Sequence, residues 1–140
     1  MEQKDYLLRE IEKLGIVIRA IQQKIFGGSR PPAITPERQE AEAREMLLNE
    51  INFDLDRLMQ MDQAESEKYV NGFKGFSIEN IEALAAFISK IGLSKQSEPS
   101  RTYLEKALQL FEICNIKSKT FSLERENHIS ALSNALAKPD

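Results

Sequence analysis

Apolar side chains recur most regularly at the start of the chain. Leu7, Ile11, Leu14, Ile18, Ile21 and Ile25 follow one another at steps of four and three, and that spacing puts all six on one seam of a helix over residues 5–26. Burying six such side chains contributes about 9 to 18 kcal/mol gross, against a net stability of about 5 to 15 kcal/mol for a typical domain. The seam must therefore be covered, either by later helices of the same chain or by a second copy. In heptad terms Ile11, Ile18 and Ile25 are a positions and Leu7, Leu14 and Ile21 are d positions, the arrangement of a parallel two-stranded coil. The flanking e and g positions, Leu8, Glu10, Gly15, Val17, Gln22 and Lys24, hold only two charges. Leu8 and Val17 widen the apolar face, which favours packing against several helices.

Two glycines and two prolines between residues 27 and 35 end this helix. Nine residues reach about 17 Å as a coil and about 28 Å as extended polyproline, enough for the helix to fold back or to cross to a neighbour. Thr35, Pro36 and Glu37 signal the start of a second helix. Leu47, Ile51, Leu55 and Leu58 then keep helical spacing and predict one long element ending near Met61. Residues 62–76 read as irregular, with a short helical piece around Glu65 to Val70 and a turn at Asn71-Gly72. Phe76, before the capping Ser77, and Ile81 form the two halves of a hydrophobic staple.

A third helix is predicted over residues 78–91 with Gly92 as its stop. A fourth, over 101–116, is apolar on more than one face and so central. A polar loop, 94–100, joins the two. The last helix starts near Ser122, turns Ile129, Leu132 and Leu136 inward and frays at Lys138-Pro139-Asp140. It pairs with the fourth as an antiparallel hairpin. The whole reads as one domain: a seam helix, 5–26, a linker, 27–35, and a helical bundle, 36–140.

Composition narrows the partners. The net charge of -3 is uneven. Residues 1–35 hold six basic and four acidic groups, 36–67 three and ten, and 68–140 ten and eight, so the acidity belongs to the second segment. Without a basic stripe beyond Lys117-Ser-Lys119, no nucleic acid is expected as a partner. The acidic opening and the charges within the first helix predict neither an export signal nor a membrane span. One cysteine, Cys114, rules out an intrachain disulfide and suits a cytoplasmic location.

Candidate chemistry is sparse. Glu42, Glu45, Asp54 and Asp56 could be read as a metal cluster, but a carboxylate bundle also needs Glu-x-x-His motifs on its partner helices, and the chain has none. Cys114 and His128 are the one nucleophile and base that could meet. In a hairpin centred near residue 119 they are offset by about 6 Å along the helices, which does not make a ready dyad. No phosphate loop, nucleophile elbow or calcium loop is present. No catalytic, cofactor-binding or metal-binding residue is therefore assigned. A pocket near Tyr103, Phe111, Cys114 and His128 is the alternative to an interaction role.

Residues 103–112, Tyr-Leu-Glu-Lys-Ala-Leu-Gln-Leu-Phe-Glu, resemble the second helix of a tetratricopeptide repeat, with Ala107, Phe111 and Cys114 at its small, aromatic and small positions. The match covers half a repeat. The opening Asp5-Tyr6-Leu7-Leu8-Arg9-Glu10-Ile11-Glu12, with the Tyr103 helix and the Phe121-Ser122 helix start, also resembles a family of small bacterial helical proteins, a domain of unknown function. That resemblance implies an all-helical, cytoplasmic bacterial protein and brings no catalytic residues. The expectation is an all-α fold of about five helices, a long N-terminal amphipathic helix plus a bundle ending in a tetratricopeptide-like hairpin. Its expected role is a non-enzymatic interaction or scaffold module, a homo-oligomer or a binder of another protein, with Leu7, Ile11, Leu14, Ile18, Ile21 and Ile25 as the candidate interaction seam.

Overall fold

The computed structural model describes residues 2–26, 36–94 and 99–137. Among them are seven helices and no strand: α1 (Glu2–Phe26), α2 (Pro36–Ile51), α3 (Leu55–Met59), α4 (Gln63–Asn71), α5 (Ile78–Ser94), α6 (Pro99–Lys117) and α7 (Leu123–Ala137). The expected linker at 27–35, the Thr35 cap, residues 95–98 of the expected polar loop and the frayed end at 138–140 lie outside the described residues.

The all-α class stands, but the expected count of about five helices is overturned at 51–63. The one long second helix expected to end near Met61 is replaced by two elements, α2 and α3, and the short helical piece expected around Glu65 to Val70 is a full helix, α4. Asn52 takes a left-handed φ of 57° and donates its N–H to the Leu48 carbonyl at 3.0 Å, the left-handed cap that asparagine tolerates and most side chains do not. Phe53 then turns inward, fully buried, with its ring 5.1 to 5.3 Å from those of Tyr69, Phe73 and Phe76. The Tyr69 hydroxyl accepts the Asp54 N–H at 3.0 Å and pins the corner. Asp54 caps α3 through the Arg57 N–H, and Asp62 and Glu65 form a reciprocal capping box that starts α4. The apolar spacing of Leu47, Ile51, Leu55 and Leu58 runs straight across this break because Leu47, Leu55 and Leu58 are buried on both sides of it and Ile51 half-buried.

The centre is α5 packed along α6, with α1 and α2 against α5, α7 against α6, and α3 and α4 covering the other side of α6. Ile81, Leu84, Phe87, Ile88 and Ile91 of α5 meet Leu104, Ala107, Leu110, Phe111 and Ile113 of α6 in one core cluster. Ser77 caps α5, and Phe76 and Ile81 are both buried beside it, as a staple requires. α5 does not stop at Gly92, which is buried inside its last turn. Arg101 reaches the Leu136 carbonyl at 2.9 Å and Arg125 the Asn115 side chain at 2.9 Å, so α6 and α7 run antiparallel.

α1 sits unusually close to the turn before α5. A Cβ on Gly75 would lie 2.5 Å from the Glu10 carbonyl oxygen. That absence lets the Asn80 amide donate to the carbonyls of Ile11 at 2.9 Å and Gly75 at 2.8 Å. Three segments are tied by one buried side chain, at a point where an unpaired amide would cost about 1 to 3 kcal/mol.

Candidate functional site

The six seam residues divide. Leu14, Ile18, Ile21 and Ile25 are at most 4% exposed and belong to the chain's own core. Ile11 is half-buried and Leu7 is 42% exposed. The division follows from where α1 meets its neighbours: the close contacts with Gly75 and Asn80 begin at Glu10 and Ile11, and the side chains of the turns before them are exposed among the described residues. Tyr6 and Leu8 are exposed there too, the Tyr6 ring carrying the Lys74 ammonium at 5.1 Å.

α1 exposes a further apolar residue off the seam. Ile16 is half exposed and, with Val17, forms the apolar part of a groove of about 390 Å³ whose charged rim is Arg9, Glu12, Lys13 and Glu50. Glu50 is at the end of α2 and Arg9 and Lys13 are near the start of α1, so the two helices run antiparallel here. Ile16 is two positions from Ile18, which makes it easy to miss beside a strong four-three repeat. Ile116, Phe121 and Leu123 form another exposed apolar group around the α6–α7 turn.

The pocket expected near Tyr103, Phe111, Cys114 and His128 is only partly assembled. His128 stacks on Phe111 with centroids 5.0 Å apart and planes within 9°. Both line a cleft of about 260 Å³ with Glu79, Glu82, Ser122 and Glu124. Cys114 is fully buried and points its thiol at the Ile78 carbonyl, 3.7 Å away. Burial, with Glu82 nearby, pushes that thiol up to about 12, so it is a poor nucleophile near neutral pH. Tyr103 faces α2, where burial and its hydrogen bond with Glu40 raise its phenol well above the ordinary range. It does not line the cleft.

Two of the four acids considered as a metal cluster are spent on structure. Asp56 pairs with Arg44 at 2.8 Å, and Asp54 caps α3. Among the described residues no three His, Cys, Asp or Glu side chains are gathered as a metal site.

Two buried polar groups had no sequence signal. Lys106 is 3% exposed and donates to the Met61 carbonyl, the Ser66 hydroxyl and the Gln109 carbonyl, each at 2.7 Å. Burial lowers its pKa, against the pull of Asp62 and Glu65. A serine beside a lysine invites comparison with a nucleophile and its base, but Ser66 is fully buried and no substrate can reach it. The pair instead fastens the α3–α4 turn to α6. Arg125, 5% exposed, likewise joins α7 to α5 through Glu82 at 3.0 Å. Only tertiary packing shows that these long cationic side chains point inward.

No helix among the described residues is long and apolar enough to cross a membrane. No protein-family model, curated protein or solved structure matches this chain. Its function therefore has to be argued from its own surfaces.

Proposed function

We propose that this chain is a non-enzymatic protein-interaction module that self-associates through α1. The observation that carries the reading is the surplus of apolar surface on that helix. After the core has taken Leu14, Ile18, Ile21 and Ile25, the helix still presents Tyr6, Leu7, Leu8 and Ile16 to solvent, each between 42% and 53% exposed. Three of the four, Tyr6, Leu7 and Leu8, are consecutive at the start of the helix, and exposed apolar side chains gathered at one end of an element support an association reading. A cytoplasmic setting without nucleic-acid or membrane partners, and kinship with the bacterial helical family resembled by Asp5–Glu12 and the Tyr103 stretch, go with this reading.

The test is the solution mass of the wild type and of a Leu8→Asp, Ile16→Asp double variant, with helicity measured alongside. The expected result is a wild-type species at a multiple of 16.0 kDa and a folded monomeric variant. A folded wild type that remains monomeric at every concentration overturns the proposal.

A second reading is favoured by the cleft beside the Phe111–His128 stack. Glu79 and Glu124 at its edge, beside a Glu82 that Arg125 already holds, suit a small organic cation. A thermal shift with a simple diamine that disappears in Glu79→Gln, Glu124→Gln would support it, and no shift at saturating diamine would remove it.

A further inference from the structure

We infer that the cleft beside the Phe111–His128 stack takes an arginine side chain of another protein, whose apolar neighbours lie on Phe121 and Leu123. The inference rests on the second reading above, a small organic cation in that cleft, and names the cation's chemistry and its carrier. The stack selects the chemistry. Phe111 is buried and covers one face of the imidazole, with the two planes within 9° of each other. His128 itself is exposed, so the face turned away from Phe111 is the part of the ring open to a ligand. A planar guanidinium stacks on such a face, whereas an ammonium has no plane to lay against it.

Charge selects the same group. Glu79 on α5 and Glu124 on α7 line the cleft, are exposed and belong to no ion pair among the described residues. They supply carboxylate acceptors from two helices to the fork of N–H donors that a guanidinium carries. The chain's own cations do not compete for them. Arg125 is spent on Glu82 at 3.0 Å and on Asn115 at 2.9 Å, Lys117 is bonded to the Asn71 side chain at 2.6 Å, and no lysine or arginine is among the lining residues. Size and surroundings select the carrier. About 260 Å³ is less than the roughly 300 to 1,000 Å³ of a pocket for a drug-sized ligand, so the cleft suits one side chain rather than a nucleotide. Ser122 lines it, and on either side of Ser122 in the chain Phe121 is 77% and Leu123 65% exposed. Apolar residues next to an arginine in a protein segment cover those two side chains, which a free guanidinium compound leaves in water.

The chain has one histidine, so the ring signals of His128 in a nuclear magnetic resonance spectrum of the full chain report on this cleft without assignment. The probes are arginine capped at both ends, lysine capped in the same way, and a short capped peptide with arginine between leucines. Capped arginine should shift the ring signals saturably, with capped lysine about tenfold weaker and the leucine-flanked peptide about tenfold tighter. Glu79→Gln, Glu124→Gln should weaken both arginine probes by about tenfold or more. Phe121→Ser, Leu123→Ser should remove the advantage of the peptide and leave capped arginine unchanged. Equal binding of capped lysine and capped arginine overturns the guanidinium and leaves the small-cation reading standing. A peptide no tighter than capped arginine overturns the protein carrier, the occupant then being a free guanidinium compound. No shift with these probes or with the diamine overturns inference and reading together. The comparison of arginine with lysine is made on the wild type, so it stands whether or not the variants fold.

Discussion

Ile16 and Ile18 allow one chemical change to be placed in two environments on the same helix. Ile18 is 1% exposed and sits in the core cluster, so Ile18→Ala deletes buried carbon and leaves a space that the packed surroundings fill only in part. Such changes cost about 2 to 5 kcal/mol, up to half or more of the roughly 5 to 15 kcal/mol that holds a domain together. Ile16 is 52% exposed. Ile16→Ala loses only the half that is covered, roughly 1 kcal/mol, and regains several tenths from alanine's better helix propensity. The expected gap between the two variants is about 2 to 4 kcal/mol. Urea unfolding of dilute protein, followed by far-ultraviolet dichroism, measures it through the midpoint at constant slope. Repeating the series at high concentration adds a second reading, since an associating native state gains stability by mass action. Ile16→Ala should then lose part of that gain. Equal destabilisation at low concentration would refute the assignment of Ile18 to the core and Ile16 to the surface.

Other outcomes follow from the buried contacts. Gly75→Ala should cost about 1 to 3 kcal/mol by overpacking, because its Cβ would meet the Glu10 carbonyl at 2.5 Å and backbone cannot swing aside. Thermal melts check it, and an unchanged midpoint would show that α1 and the Gly75 turn are not so tightly apposed. Ser66→Ala should cost about 1 to 3 kcal/mol, since it takes one acceptor from a buried ammonium. In a Lys106→Met background the same change should be nearly neutral, and a double-mutant cycle with no coupling would contradict the bond. With the Cys114 thiol pushed up to about 12, the unfolded thiol ionises near its ordinary value of 9.0 while the folded one keeps its proton. Its contribution is therefore complete below pH 9 and falls away as pH rises toward 12. The alkaline decline in stability should be shallower in Cys114→Ala, and an identical slope would count against the burial.

What the sequence determined by itself was whatever depends on residues within a turn or two of one another. Steps of four and three fix a helical face, Ser77 and Ser122 start helices through their own hydroxyls, and Phe76 with Ile81 staples one of them. The capping box at Asp62 and Glu65 was equally local, at the head of the short helical piece expected around Glu65 to Val70, whereas the unbroken spacing of Leu47, Ile51, Leu55 and Leu58 concealed the cap at Asp54. Tertiary structure alone decided the rest. Asn52 breaks the second helix because Phe53 has an aromatic cluster to enter, and that cluster draws on residues up to 23 positions further along. The seam is core at Ile18 and open at Leu7 because α5 and the Gly75 turn begin to cover α1 only at Glu10. Lys106 and Arg125 are inside because acceptors from other helices meet them. A helical period says which side chains share a face, but the elements that arrive against that face determine how much of it remains for a partner.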